Sequence, residues 1–238
     1  MTTITQLIEY KYQNQLFEST LVYPTPATSL KGALLMAPNW MGIKHSDVEI
    51  AQHVAVQGYV VLLLDLYGKG KRPQNAAQAK TWVEQIKNTE HEVGLVNAAH
   101  QALLAQNFYV VDAEKVAAFG FCLGGHNVLE YARSGANIKA AISFHGSLDR
   151  SERYDMKNFH GKILVLDGAD DPLVPREQLS SFRNEMAQTD IDWQLISFGN
   201  TCHSFTEKAA NEAGVKQYNA LSSKRAFHAM YTLLDEIF

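Results

Sequence analysis

Short runs of apolar residues recur along the chain and predict the strands of a buried sheet. A strand that is covered on both faces is a continuous apolar run, whereas a half-exposed strand alternates. Such runs occupy residues 32–38, 59–64, 116–121, 138–144 and 163–166. Residues 193–198 are predicted to form one further extended segment. Residues 4–23 are rich in β-forming side chains and are interrupted at Gln13-Asn14, which predicts an N-terminal β-hairpin.

Helical patterns fill the segments between these runs. Ser46 followed by Glu49 is a capping-box pattern that predicts the start of a helix, and Gly58 predicts its end. Apolar residues also recur at helical spacing in 75–106, 123–133, 176–188 and the C-terminal segment. This alternation predicts the α/β class, with a mostly parallel sheet, helices on both faces, and functional residues at the carboxyl ends of the strands.

Composition narrows the class of protein without changing this picture. The chain has 238 residues, 46% hydrophobic and 19% charged, which excludes disorder, collagen and coiled coil. No repeat or linker divides it, so we expect a single domain over residues 1–238. The net charge of −4 provides no basic excess for a nucleic-acid partner.

Segments that would direct the chain to a membrane are not apparent. The longest strongly apolar run falls far short of the ~20 residues that span a bilayer. Residues 1–15 contain no apolar stretch of the kind found in signal peptides. We therefore expect a cytoplasmic protein without membrane contact.

The chain contains two cysteines, Cys122 and Cys202, which is too few for a disulfide framework or a four-thiolate zinc site. The histidines show no spacing typical of metal ligands, so we expect neither a metal nor a cofactor. Each cysteine is therefore either a buried thiol or a chemically active one.

Cys122 lies in a motif that favours a chemical role. Gly120-Phe121-Cys122-Leu123-Gly124 joins a predicted strand to a predicted helix and matches G-x-S-x-G with Cys in place of Ser. In this sharp turn, side chains two residues before and after the nucleophile would clash, which explains the glycines. A helix N-terminus favours an anion and can lower the pKa of a thiol. The alternative is a small apolar Cys in a Gly-rich turn.

An acid and a histidine follow at later strand ends, in the chain order nucleophile, acid, histidine that this fold uses. Asp170 and Asp171 come after the strand predicted at 163–166, and His203 comes after the one at 193–198. A lone aspartate in a loop would most simply be solvated. Three residues in the right order, each beyond a strand, instead indicate a Cys-His-Asp triad.

The motifs GFCLGG, GADDPLVP and CHSF resemble those of the dienelactone hydrolase family of α/β-hydrolases. The segments APNWMG, LDLYG and FHG agree, so the resemblance extends from about residue 30 to the end of the chain. It implies an α/β-hydrolase fold, Cys122 as nucleophile and His203 as base. The family pattern G-x-x-D-x-x-V-P assigns the acid to Asp171, with Asp170 as the alternative.

The fold also needs two backbone donors for an oxyanion. One is the N–H after the nucleophile, which is that of Leu123. By resemblance, the other is the N–H of Trp40, whose side chain either lines the pocket or simply packs. Tyr67 and His145 follow strands and are further candidates for the substrate pocket, although packing roles explain them as well.

Two candidate pocket residues depart from the family pattern. Dienelactone hydrolases carry a Glu where this chain has Asn39, and that Glu is linked to switching the Cys between thiol and thiolate. Asn39 cannot carry charge, so Cys122 and His203 would form a standing thiolate–imidazolium pair. The family Arg shortly after the histidine is replaced by Glu207, which would repel an anionic lactone. We therefore expect a natural substrate other than dienelactone.

These features predict a hydrolase that cleaves a carboxylic ester, a lactone or a thioester through an acyl-cysteine intermediate, without a cofactor. The partner is then a small molecule, and the protein is a monomer or a homodimer. Three alternatives stay open on the same fold: an acyltransferase, a thiol redox protein that uses Cys122 with Cys202, and a binder that is not catalytic.

Overall fold

Eight strands form one sheet in the computed structural model, which describes residues 2–26 and 30–238. They are β1 (Thr2–Tyr12), β2 (Gln15–Thr25), β3 (Gly32–Ala37), β4 (Tyr59–Leu63), β5 (Val116–Phe121), β6 (Ala140–Phe144), β7 (Lys162–Gly168) and β8 (Trp193–Phe198). Across the sheet they lie in the order β1-β2-β4-β3-β5-β6-β7-β8. The hairpin β1–β2 joins β4 antiparallel, and the other strands are parallel. The predicted hairpin and mostly parallel sheet are confirmed.

Helices cover both faces of the sheet. They are α1 (His45–Ala55), α2 (Ala76–Ile86), α3 (Glu90–Ala105), α4 (Leu123–Arg133), α5 (Arg176–Met186) and α6 (Ala220–Ile237). Alternate residues of β3 point to opposite faces, as the pleat of a strand requires. Leu34 belongs to a core with Val54 of α1 and Met230 of α6, whereas Leu35 belongs to a core with Val128 of α4. The two cores account for the continuous apolar runs.

Two local predictions for the helices are wrong. Helix α1 is capped by Lys44 and not by Ser46, because the backbone N–H of Lys44 donates to Asp47 Oδ2 at 2.8 Å. The helical region over 75–106 is two helices, which separate near Asn88, where the backbone adopts a left-handed φ of 61°. The shared helical periodicity of the two segments concealed this break.

A small ribbon that the sequence pattern did not predict follows β8. Its strands are β9 (Asn211–Glu212) and β10 (Lys216–Gln217), and they pair antiparallel. Within the described ranges, no helix is both long and apolar enough to cross a membrane.

Candidate active site

Cys122 stands alone between the last residue of β5 and the first residue of α4. Its backbone has φ 54° and ψ −116°, a conformation that L-residues adopt only under strain. Its N–H donates to Phe144 O at 3.0 Å, and its carbonyl accepts from His126 N–H at 3.2 Å. The neighbouring strand and the first turn of α4 thus hold the strained residue in place.

Glycines make this turn possible, as the sequence predicted. A Cβ on Gly120 would lie 2.2 Å from Gly124 O, and a Cβ on Gly124 would lie 2.1 Å from Ala37 O. Both distances are far below van der Waals contact. The close approach at Gly124 also seats the elbow on the end of β3, where the chain enters the segment that contains Trp40.

His203 and Asp171 meet at the carboxyl ends of β8 and β7. The distance between His203 Nδ1 and Asp171 Oδ2 is 2.7 Å, and both side chains are buried. Asp171 Oδ1 accepts a second hydrogen bond, from Leu173 N–H at 2.8 Å. Asp170 is exposed, so the structure pairs the histidine with the aspartate that the family pattern selected.

The unpredicted ribbon positions the backbone of His203. The His203 N–H donates to Val215 O at 3.1 Å, and its carbonyl accepts from Gln217 N–H at 3.0 Å. Strands of two residues are too short to produce a hydrophobic period, and Gly214, at φ 75°, is the one turn signal in the segment.

Opposing effects set the protonation of His203. Burial lowers its pKa, but the hydrogen bond to Asp171 and the nearby Cys122 outweigh burial and raise the pKa to about 10. Within the described chain, His203 Nε2 is buried without a hydrogen bond of standard geometry. The ring is thus oriented through Nδ1, while Nε2 remains available toward the thiol.

The segment that contains Trp40 is fixed by Tyr67. The Tyr67 hydroxyl donates to Trp40 O at 2.6 Å, and the Tyr67 ring is buried. Burial, followed by the charge of Cys122, raises the pKa of Tyr67, so its phenol stays protonated and able to donate. Leu123 is the first residue of α4 and packs in the same apolar cluster as Tyr67, against which Trp40 also rests.

Asn39 and Glu207, the two departures from the family pattern, contact each other. Asn39 Nδ2 donates to Glu207 Oε1, and Asn39 Oδ1 accepts from Met41 N–H at 2.9 Å. Glu207 Oε2 also lies 3.5 Å from Lys44 Nζ, an ion pair that the sequence analysis did not predict. Glu207 is therefore partnered by an amide and a cation.

His145 lies beneath His203. It is 1% exposed, its ring centroid is 5.0 Å from that of His203, and its Nε2 is 2.8 Å from Thr206 Oγ1. Burial, and then the charge of His203, hold the pKa of His145 well below its usual range. A neutral ring is the form that can pack against a charged His203, and its contacts are with the protein interior.

Both cysteines are free thiols, and each is partly exposed. Cys202 directly precedes His203 in the chain. Across residues 2–26 and 30–238, no group of three or more His, Cys, Asp or Glu side chains is placed to hold a metal ion.

The chain is similar to known proteins over nearly its whole length. Residues 17–238 match the model of the dienelactone hydrolase family. The solved structure described as m3DLH is 32% identical, with a TM-score of 0.94 over the whole of both chains. That of P91, a dienelactone hydrolase-like promiscuous phosphotriesterase from metagenomic libraries, is 30% identical, with a TM-score of 0.93 over the whole of both chains.

A relative from Bradyrhizobium is a probable 2-oxo-3-(5-oxofuran-2-ylidene)propanoate lactonase. It is 28% identical over 74% of this chain and 73% of its own length. The family match covers nearly the whole sequence, including every residue of the candidate site. The chain therefore belongs to the dienelactone hydrolase family, and the predicted α/β-hydrolase fold and enzyme class, a lactone or ester hydrolase, are confirmed.

Proposed function

We propose that this enzyme cleaves its ester or lactone through an acyl-cysteine intermediate on Cys122, with His203 as proton carrier and Asp171 as its orienting acid. The observation that carries the proposal is the 2.7 Å contact between His203 Nδ1 and Asp171 Oδ2. It holds the imidazole at Nδ1, so that Nε2 is left to exchange a proton at the nucleophile.

In the first half of the reaction, the Cys122 thiolate adds to the carbonyl carbon and forms a C–S bond. The backbone N–H groups of Leu123 and Trp40 are assigned to the oxyanion, and one such donor is worth ~10²–10³ in rate. The C–O bond then breaks, and the leaving oxygen takes a proton from His203 Nε2. The product is an acyl-thioester.

Acylation removes the negative charge of Cys122, and this prepares the second half of the reaction. The cysteine contributes to the raised pKa of His203, so its neutralisation lowers that pKa. Neutral His203 can then accept a proton from water, and the resulting hydroxide attacks the thioester. When the C–S bond breaks, the thiolate of Cys122 and the imidazolium of His203 form again together. This cycle needs no charged side chain at position 39.

We infer that the substrates are small lactones and activated esters. A thiolate leaves the tetrahedral intermediate more readily than an alkoxide does, so the acyl-enzyme forms only when the substrate itself has a good leaving group. Amides lack such a group and are therefore poor substrates for this chemistry. The description of the Bradyrhizobium relative as a lactonase supports the lactone class.

The decisive experiment measures hydrolysis of p-nitrophenyl acetate, dihydrocoumarin and dienelactone by the wild type, Cys122→Ala and Cys202→Ala. We expect Cys122→Ala to lose at least ~10³-fold in kcat/KM, as loss of a nucleophile usually does, and Cys202→Ala to retain activity. Rapid quenching of the wild type should also show the mass of an acyl group on Cys122. Full activity in Cys122→Ala, or none in the wild type, would refute the proposal.

Phosphotriesters are a second candidate substrate class. The observation that favours them is the likeness, over the whole chain, to the structure described as a promiscuous phosphotriesterase. The thiolate would form an S–P bond and expel an aryloxide. Release of p-nitrophenol from diethyl p-nitrophenyl phosphate by the wild type, and not by Cys122→Ala, would establish this activity, whereas no release would exclude it.

A further inference from the structure

Two loops meet at the candidate active site, and the Glu207 side chain joins them. The first loop, residues 38–44, leaves β3 and contains Trp40, the proposed oxyanion donor. The second, residues 203–207, follows β8 and begins with His203. Between them, Asn39 Nδ2 donates to Glu207 Oε1 across 168 positions of sequence.

Both ends of the Asn39 amide are occupied. Its Oδ1 accepts from Met41 N–H at 2.9 Å, which closes the backbone around Trp40, and its Nδ2 reaches the other loop. Asn39 is 5% exposed, so it has little access to water as an alternative partner. Loss of either bond would leave a buried polar group unsatisfied.

Glu207 is held with similar definition. Its N–H donates to Ser204 O at 2.9 Å in the turn after His203, and its second carboxylate oxygen is 3.5 Å from Lys44 Nζ. Lys44 belongs to the first loop, so both oxygens of Glu207 face that loop. In the same turn, Thr206 contacts His145 beneath the base.

We propose that Asn39 and Glu207 are a positioning pair that locks the first loop, residues 38–44, to the second loop, residues 203–207. The inference rests on the proposed function, because it assigns Trp40 and His203 their roles. The pair keeps the Trp40 N–H and His203 Nε2 at a fixed separation while charge moves between the thiol and the carbonyl oxygen. Glu207 performs this task as a hydrogen-bond acceptor, and the charge of its carboxylate is balanced by Lys44.

This role differs from that of a carboxylate that screens substrates by charge. A screening carboxylate would change the preference between neutral and anionic esters and leave turnover of neutral esters intact. A positioning pair affects turnover of every ester alike, because displacement of a catalytic group by about 1 Å can cost ~10²-fold in rate.

The test compares Glu207→Ala, Glu207→Gln, Asn39→Ala and the double variant Asn39→Ala/Glu207→Ala. Kinetics on p-nitrophenyl acetate should show kcat lowered about 10–100-fold in Glu207→Ala and in Asn39→Ala, with KM nearly unchanged. Glu207→Gln should retain most of the rate, because its amide oxygen still accepts from Asn39. The double variant should be no slower than Asn39→Ala alone, since the two residues act as one unit.

Hydrogen exchange tests the same pair without catalysis. In Glu207→Ala, amides of residues 39–44 should exchange faster than in the wild type, and in Glu207→Gln they should not. The matched control Glu177→Ala removes an exposed carboxylate from the first turn of α5 and should change neither readout.

Several outcomes would overturn the pairing: equal loss in Glu207→Gln and Glu207→Ala, multiplicative losses in the double variant, or unchanged exchange in Glu207→Ala. A change confined to anionic esters would instead identify a charge screen. If the wild type hydrolysed no ester, the proposed function would fail, and the exchange data alone would still decide whether the two loops are locked.

Discussion

The charge of Cys122 acts on two neighbouring side chains with different tasks. It contributes to the raised pKa of His203 and, after burial, to the raised pKa of Tyr67. A protonated phenol keeps its hydrogen bond to Trp40 O, and in the proposed mechanism a protonated imidazole is the counter-charge for the thiolate. One anion thus favours the proton-bearing forms of both groups.

This coupling predicts a measurable change when Cys122 is neutralised. Alkylation with iodoacetamide removes the thiolate, so we expect the pKa of His203 to fall below about 10, as measured by NMR titration of its ring. Cys202→Ser should leave the titration unchanged and also ensures that only Cys122 reacts. An identical His203 pKa before and after alkylation would show that the two side chains are uncoupled.

The choice between Asp171 and Asp170 can be tested by kinetics. Asp171→Asn leaves the shape of the side chain and removes its charge, so it no longer stabilises the imidazolium or fixes its tautomer. We expect kcat for p-nitrophenyl acetate to fall ~10³–10⁴-fold. Asp170→Asn changes an exposed neighbour and should remain within about twofold of wild type, given the small effects usual at exposed sites. The reverse order of the two effects would reassign the acid.

The contact between His203 and Asp171 makes the stability of the fold depend on pH. The folded pKa of His203, about 10, lies above the ~6.5 of an unfolded histidine. The stabilisation is therefore complete below pH ~6.5 and is lost as pH rises through about 10. The free energy of unfolding of Asp171→Asn should fall below that of wild type at pH 6 and converge with it near the folded pKa. A difference that stays constant over this range would contradict the assignment.

At the scale of elements, the elbow depends on the fit between α4 and the end of β3. Gly124 lies so close to Ala37 O that any side chain there must displace backbone, and backbone cannot yield as the end of a flexible side chain can. The turn that contains Cys122 is therefore packed against the end of β3, the strand that leads to Trp40.

Two glycines provide a matched comparison of this fit. We expect Gly124→Ala to lower the free energy of unfolding by about 1–3 kcal/mol or more, as overpacking does. Gly199→Ala has open space around its Cβ and an ordinary φ, so it should stay within ~1 kcal/mol of wild type. Urea denaturation measures both, and equal effects would mean that the elbow accommodates a side chain.

The sequence predicts best those helices and strands whose ends are marked by apolar runs and glycines. The bounds predicted for β5, α4 and β8 coincide with the observed ones, because apolar runs and glycines mark them. The contact of His203 with Asp171 could also be predicted, since each residue follows a strand and the family pattern selects Asp171. The contact of Asn39 with Glu207 could not, because it depends on how two distant loops meet, and the β9–β10 ribbon is too short to show a period.

For the whole molecule, a buried cation connects the elbow helix to the helix that follows Asp171. Arg133, at the end of α4, is 1% exposed. It donates to Glu130 at 2.8 Å and to both carboxylate oxygens of Glu185 in α5, at 2.9 and 2.8 Å. The two helices that follow Cys122 and Asp171 in the chain therefore share a buried ionic contact.

Removal of this cation should destabilise the whole fold. Arg133→Met leaves the buried Glu130 without its charged partner, and we expect a loss of ~3–5 kcal/mol in the free energy of unfolding. Lys80→Met removes the cation of an exposed pair with Glu84 and should have almost no effect. Denaturation curves of the two variants test the difference, and similar curves would show that Arg133 is dispensable.

The ribbon that holds His203 has a consequence for how this enzyme can be silenced. Its residues lie at the surface, with an exposed turn at Gly214, while the two cores of the sheet lie elsewhere. We expect a single proteolytic cut in that turn to release the backbone of His203 and leave the eight-stranded sheet intact. If His203 is the base, such a cut should inactivate the enzyme without unfolding it.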